Sequence, residues 1–252
     1  SRDRPAYDTV AQAASASLRL LTPPANPRVI GPAIADAVTG HYAALGIAAA
    51  LLERVRTGKG RRLDISMLEA MCHFNLDSFT HYFSVGEIMG PLSRPMVSQS
   101  YTFECADGKW IAIHLSSPQK FWEGLTRSVE RPDLLEDARF AERLERIKHQ
   151  QELIDELTPI FRKRSREEWC DILLKEEVPH SPAYDSNEAL EDPQAKHLQI
   201  AVEAEHREMG PFKTVRAPYN FDGEADTEVL PPPTLDEHGE EIRAEIARRK
   251  TG

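Results

Sequence analysis

Residues 35–56 are dominated by Ala, Leu, Ile and Val, with glycines at 40 and 46, and after Asp36 charged side chains return only at Glu53, Arg54 and Arg56. Such a stretch reads as a buried helix, and Thr57-Gly58-Lys59-Gly60 reads as its glycine stop. Small residues at Gly40, Ala44, Gly46, Ala48 and Ala50 leave room for another backbone, so the helix is expected to pack against a sheet or a symmetry mate. No run reaches the roughly 18 consecutive apolar residues of a membrane span, so no membrane association is expected. The opening Ser1-Arg2-Asp3-Arg4-Pro5 has no apolar stretch behind its charges and does not read as a signal peptide.

Around that helix the punctuation is clear. Tyr7 to Leu21 is helix-like, and Thr22-Pro23-Pro24-Ala25-Asn26-Pro27 breaks it, since proline removes donors and restricts its predecessor. Residues 62–67 alternate like a short strand, residues 68–83 read as a second helix, and 86–95 as a linker. Residues 101–105 and 110–114 flank Asp107-Gly108, a β-hairpin signature. Residues 118–129, 132–141 and 150–163 are helical in pattern, and Ser165 with Glu168 marks a capped helix start. Pro231-Pro232-Pro233 precedes a terminal amphipathic helix near Asp236.

At 252 residues the chain can build a core without staples, and its three cysteines, Cys72, Cys105 and Cys170, form no CxxC pair, which fits a reducing cytoplasm. A net charge of −10 leaves no basic field for nucleic acid. Asp36 sits in the first turn of the apolar helix, where free N–H groups and the positive dipole end favour a carboxylate. Taken alone, a capping role is the commoner one for such a residue. Beside Gly40, with little bulk at Ala35 and Ala37, the same carboxylate is also accessible enough to attack an activated acyl group.

Other motifs point elsewhere. Gly58-Lys59 lacks the glycine five residues upstream that a phosphate loop needs, since Glu53 stands there. His73 and His81 share a helix face without a metal set, so no metal is expected. Ser116-Ser117-Pro118 lacks a GxSxG elbow and reads as a helix start. The mixed charges of residues 142–149 read as a solvated face.

The segment DAVTGHYAALGIAAALLERVRTGKGRRLDIS, residues 36–66, resembles the signature of family III coenzyme A transferases, the CaiB/BaiF group. RPAYDTVAQAAS, residues 4–15, resembles the segment preceding it, with Ala16 in place of the usual glycine. The Asp107-Gly108 hairpin, Val178-Pro179, Glu191-Asp192-Pro193-Gln194 and residues 236–242 follow the family order. The resemblance implies that Asp36 attacks a donor thioester, forms a mixed anhydride and then an aspartyl-CoA thioester, and passes CoA to an acceptor carboxylate. It implies that Tyr7 and Asp8 line the acyl pocket and that Arg4 reaches a CoA phosphate. Gly40 and the Ser116-Ser117 loop complete the expected binding residues, although that loop lacks the glycine-rich sequence of the formyl-CoA transferase type.

The resemblance further implies an α/β protein. Residues 1–90 complete a Rossmann-like body, 95–192 form a small α+β domain, and 193–252 return to the body, within an interlocked homodimer. A nucleotide-binding α/β half is expected to precede the matched segment. The α-methylacyl-CoA racemase branch carries the same aspartate but pairs it with a histidine four residues before the tyrosine; Asp3 stands there, which favours transfer over racemisation. A non-catalytic CoA-binding or scaffold protein of the same architecture is the other class left open.

Overall fold

The computed structural model describes residues 5–250. The helix-like stretch after Tyr7 divides into α1 (Asp8–Ala14) and α2 (Ser17–Leu21), because Ala16, standing where a glycine was expected, adopts a left-handed conformation at φ 68°. A loop follows, pinned where the Thr22 hydroxyl donates to the Arg28 carbonyl at 2.7 Å. The apolar segment forms α3 (Ile34–Thr57), and left-handed Gly58 ends it by donating its N–H to the Arg54 carbonyl at 2.8 Å. Residues 62–66, expected as part of a short strand, form no strand among the described residues. The expected second helix is two, α4 (Met67–Phe74) and α5 (Leu76–Val85), interrupted at Asn75, whose side chain donates to Ser17 Oγ at 2.6 Å and to the Ser15 carbonyl at 2.9 Å. The expected linker contains the start of α6 (Ser93–Ser98).

The expectation of a buried α3 is not met within this chain. Of its residues only Ala35 is fully buried; Ala35, Ala11 and Met71 form a small core with Ile34, Val38 and Met67 packed on it. Leu45, Leu52 and Val55 stay exposed, Val55 at 83%. Phe83 and Val85 on α5 are exposed as well. The physical reason is a shortage of partners: α3 packs on α1 and α4, which cover one stripe of a helix apolar on most sides. By length and composition α3 could cross a membrane, a test that helices of water-soluble cores also pass.

The larger core lies beyond Ser100. β1 (Ser100–Glu104) pairs antiparallel with β2 (Trp110–His114), in register from Ser100 opposite His114 to Glu104 opposite Trp110. Gly108 at φ 72° makes the expected turn, donating to the Cys105 carbonyl at 3.0 Å. Tyr101, Phe103, Ile111 and Ile113 alternate inward into one core with α7 (Gln119–Ser128) and a 3-10 turn at Pro132–Leu135, and, beyond α8 (Arg143–Lys148), with α9 (Gln150–Phe161) and α10 (Arg166–Lys175). Phe161 lies at the centre, stacked on Phe103 with ring centroids 4.3 Å apart and tilted by 40° against Trp169 at 4.6 Å. The Ser165–Glu168 capping box forms as its sequence suggests. β3 (His180–Ala183) completes a three-stranded sheet of order β1-β2-β3.

The chain separates into two compact units at Pro182–Ala183. The second contains α11 (Ser186–Glu191), α12 (Pro193–His197), the hairpin β4 (Ala201–His206) with β5 (Gly210–Val215), the two-residue strands β6 (Asn220–Phe221) and β7 (Glu224–Ala225), and α13 (Gly239–Lys250).

Candidate active site

The N-terminus of α3 is preceded by Ala33, which has no side chain able to cap it. The missing acceptor comes from far along the chain. Asp8 Oδ1 accepts the backbone N–H of Ala35 at 2.7 Å and that of Asp36 at 3.4 Å, while Oδ2 accepts from Gln12 Nε2 at 2.6 Å. Both oxygens of Asp8 are therefore occupied, and Gln12, fully buried, fixes the carboxylate from behind. An Asp and a Gln four residues apart share a helix face, the one sequence signal by which Gln12 could have been added to the candidate site.

Asp36 is left with a different environment. Its side chain is exposed, and among the described residues its carboxylate takes no hydrogen bond or ion pair. Of the two roles weighed for it, the capping one falls to Asp8, which supplies the carboxylate that accepts the Ala35 and Asp36 N–H groups. One turn later Gly40 faces open space, with nothing within 4 Å of where a Cβ would stand. Tyr7, the residue before α1, is 77% exposed. Asp8, Asp36 and Gly40 thus share one end of α3, with Tyr7 adjoining Asp8.

Ser116 and Ser117 lie on the loop from β2 to α7. Ser116 has a left-handed backbone at φ 52°, donates its N–H to the Ser98 carbonyl at 2.9 Å and accepts at its own carbonyl from Gln99 Nε2 at 2.6 Å. No hydrogen bond joins either serine to Asp8 or Asp36 among the described residues. Arg4 lies outside the described residues. His73, considered above as a metal ligand, instead meets the Tyr42 hydroxyl at 2.6 Å, and His81 Nδ1 meets Glu87 at 2.8 Å.

The profile of CoA-transferase family III matches residues 1–239, and the chain belongs to that family. Acetyl-CoA:oxalate CoA-transferase of Acetobacter aceti is 28% identical over 248 residues, covering 96% of this chain and 62% of that protein. Human succinyl-CoA:glutarate CoA-transferase is 25% identical over 250 residues, covering 97% of this chain and 56% of that protein. The crystal structure of a CaiB/BaiF family protein from Brucella suis superposes with a TM-score of 0.78 at 27% identity, covering 97% of this chain and 64% of that one. The chain therefore spans less than two thirds of the length of these relatives, and its fold is theirs over that span.

Proposed function

We propose that the full-length protein transfers CoA from an acyl-CoA thioester to a carboxylic acid, with Asp36 as the covalent nucleophile. The observation that carries this reading is the division of labour at α3: Asp8 satisfies the helix donors, so the Asp36 carboxylate stands exposed and unbonded above open space at Gly40. A carboxylate held in this way near the positive end of a helix can attack an activated acyl carbon.

In the reaction so read, an Asp36 oxygen bonds to the thioester carbon, the C–S bond breaks and CoA leaves as thiolate, giving a mixed anhydride. The thiolate then attacks the aspartyl carbonyl, releasing the donor acid as its carboxylate and forming aspartyl-CoA. An acceptor carboxylate attacks this thioester, expelling CoA thiolate and forming a second anhydride. Return of the thiolate to the acceptor carbonyl yields the new acyl-CoA and restores Asp36. Every step exchanges one activated acyl bond for another, so no energy source is needed, but water must be kept away while the intermediate lives. Tyr7 and Asp8 adjoin the acyl group, Ser116 and Ser117 belong to the loop that closes on it, and Arg4 reaches a CoA phosphate. The names of two relatives, which contain oxalate and glutarate, support a small carboxylic acid as the acceptor in this reading.

The body of this reading is larger than the chain. Residues 1–90 join a Rossmann-like domain, 95–192 form the small domain and 193–252 return to the body. The exposed apolar faces of α3 and α5 are covered by the remainder of the full-length protein and its partner in an interlocked homodimer. A cytoplasmic setting agrees with three free cysteines.

The test is mass spectrometry of the full-length protein incubated with a panel of acyl-CoAs and then hydroxylamine, which traps activated carboxylates. A hydroxamate on the peptide containing Asp36, absent from Asp36→Ala, is the expected result. Saturable CoA binding without any adduct would overturn the nucleophile and move the racemase and binding-protein readings ahead.

A further inference from the structure

Arg146 belongs to the charge-rich run 142–149, read from its sequence as a solvated face, yet it is only 1% exposed. Its Nε donates to Gln99 Oε1 at 2.8 Å, Nη1 donates to the Phe140 and Ala141 carbonyls at 2.8 Å each, and Nη2 donates to Gln119 Oε1 at 3.3 Å. The guanidinium carbon lies 4.7 Å from the centre of the Trp122 ring. All four hydrogen-bond acceptors are neutral, and among the described residues no carboxylate forms an ion pair with it. Burial pulls its pKa down, opposed by the fields of Tyr101 and Glu142. Buried cations are normally paired, because an unpaired one carries its desolvation cost uncompensated. What this one gains is the fixed placement of several polar groups.

Gln99 carries that placement outward. Arginine can only donate, so the Gln99 amide oxygen must face Arg146, and its nitrogen must face the Ser116 carbonyl, which it meets at 2.6 Å. The Gln99 carbonyl in turn accepts the N–H of Leu115 at 3.1 Å. Gln99 and Ser116 both have left-handed backbones, at φ 49° and 52°, and neither is glycine. Such conformations persist where the surroundings over-determine them, and they gather at functional loops. Arg146 bonds one of these two strained residues directly and the other through it.

We infer that Arg146 and Gln99 are positioning residues for acyl transfer, holding the 115–118 loop in the one conformation that lets it close on the Asp36 intermediate. This rests on the transferase reading above and adds to it a chain of control: guanidinium to amide, amide to Ser116 carbonyl, carbonyl to loop. Neither residue touches the reacting atoms; each acts through Ser116.

Gln99→Glu in the full-length protein tests the inference. The new carboxylate keeps the bond to Arg146 and supplies the missing counter-charge, but it cannot donate to Ser116. A pair that served stability alone would leave kcat and the partition to water unaltered in whatever protein still folds. Positioning predicts an unchanged or raised thermal midpoint, Asp36 hydroxamate formation that persists, a fall in kcat for CoA transfer of about tenfold or more with KM for acyl-CoA changed less than about threefold, and a several-fold larger share of the intermediate lost to water. Arg146→Lys, which keeps the charge but not the fork, should shift the water share in the same direction. A folded Gln99→Glu protein with unaltered kcat and unaltered partition to water would overturn the inference, and so would one that fails to fold, since the pair would then be structural. Absence of the Asp36 adduct from the unsubstituted protein would overturn the transferase reading and this inference with it.

Discussion

The carboxylate of Asp8 accepts the backbone N–H of Ala35 at 2.7 Å across a separation of 27 residues. A helix N-terminus leaves several donors without intrahelical partners, and they are most often met by the residue just before it. Here Ala33 holds that place, and the acceptor arrives from the start of a different helix. The contact ties α1 to α3 and sets the direction in which the first turn of α3, and with it Asp36, is presented.

Removing this cap should cost more in chemistry than in stability. Asp8→Ala is expected to lower unfolding free energy by about 1 kcal/mol, the usual loss for a cap residue. Asp8→Asn keeps an acceptor oxygen and should lose less. If Asp36 in the first turn is the nucleophile, as proposed, Asp8→Ala should slow formation of the Asp36 hydroxamate at least tenfold, measured against denaturant unfolding of the same samples. Equal, small losses in both measurements would reduce Asp8 to an ordinary cap.

Asp36→Asn should behave in the opposite way. Its side chain is exposed and unbonded among the described residues, so stability should stay within about 0.5 kcal/mol of the parent, as for surface substitutions generally. Hydroxamate formation should vanish. A large loss of stability would mean that the carboxylate is engaged in a contact of the full-length assembly.

Two helical glycines should respond to alanine with opposite signs. At Gly40 a Cβ meets nothing within 4 Å, so Gly40→Ala should stabilise by about 0.5–1 kcal/mol through helix propensity while hindering the approach of acyl-CoA to Asp36. At Gly124 the same atom would lie 2.6 Å from the Glu176 carbonyl oxygen, a backbone atom that cannot rotate away. Gly124→Ala should therefore destabilise by about 1–3 kcal/mol. Thermal melts of both variants, with transfer assays for Gly40→Ala, decide the pair; a stabilised Gly124→Ala would show that α7 and the 176–178 segment separate readily.

What could be read from sequence was local. The Asp107-Gly108 turn, the Ser165–Glu168 box and the Gly58 stop each rest on residues a few positions apart, and each forms as expected. The placement of Asp36 in the first turn of a long helix was legible for the same reason. The Asp8 cap was not, because its acceptor and donors lie far apart in the chain. Arg146 was misread because charge patterning averages over a run, whereas burial is decided side chain by side chain: Lys148 two residues on is exposed and pairs with Glu145. The β4–β5 hairpin also went unassigned; its inward Val202, Ala204 and His206 alternate with Glu203 and Glu205, but the polar share masks the pattern. The apolar face of α3 was recognised without the partners needed to bury it.

The acid limb of stability should depend on Arg139. This residue donates to Asp137 at 2.7 Å, to Glu152 at 3.1 Å and to Glu156 at 3.5 Å. The hydrogen bond from Arg139 holds the Asp137 carboxyl below its ordinary 3.8, and bonds from His149 and then Arg139 hold Glu152 below 4.5. Groups depressed in the folded state bind fewer protons there than in the unfolded chain. Their contribution is thus present above the unfolded values and is lost as pH falls through the lower, folded ones. Both carboxylates are solvent-accessible and screened, so the effect should be modest near neutrality. Arg139→Gln should accordingly lower the thermal midpoint only slightly at pH 7. Its larger signature should be a flatter decline from about pH 5 to pH 3, where the parent loses these pairs and the variant has fewer to lose. Melts across that range decide it: parallel curves would mean that the network contributes nothing measurable, and a variant that falls faster in acid would reverse the sign.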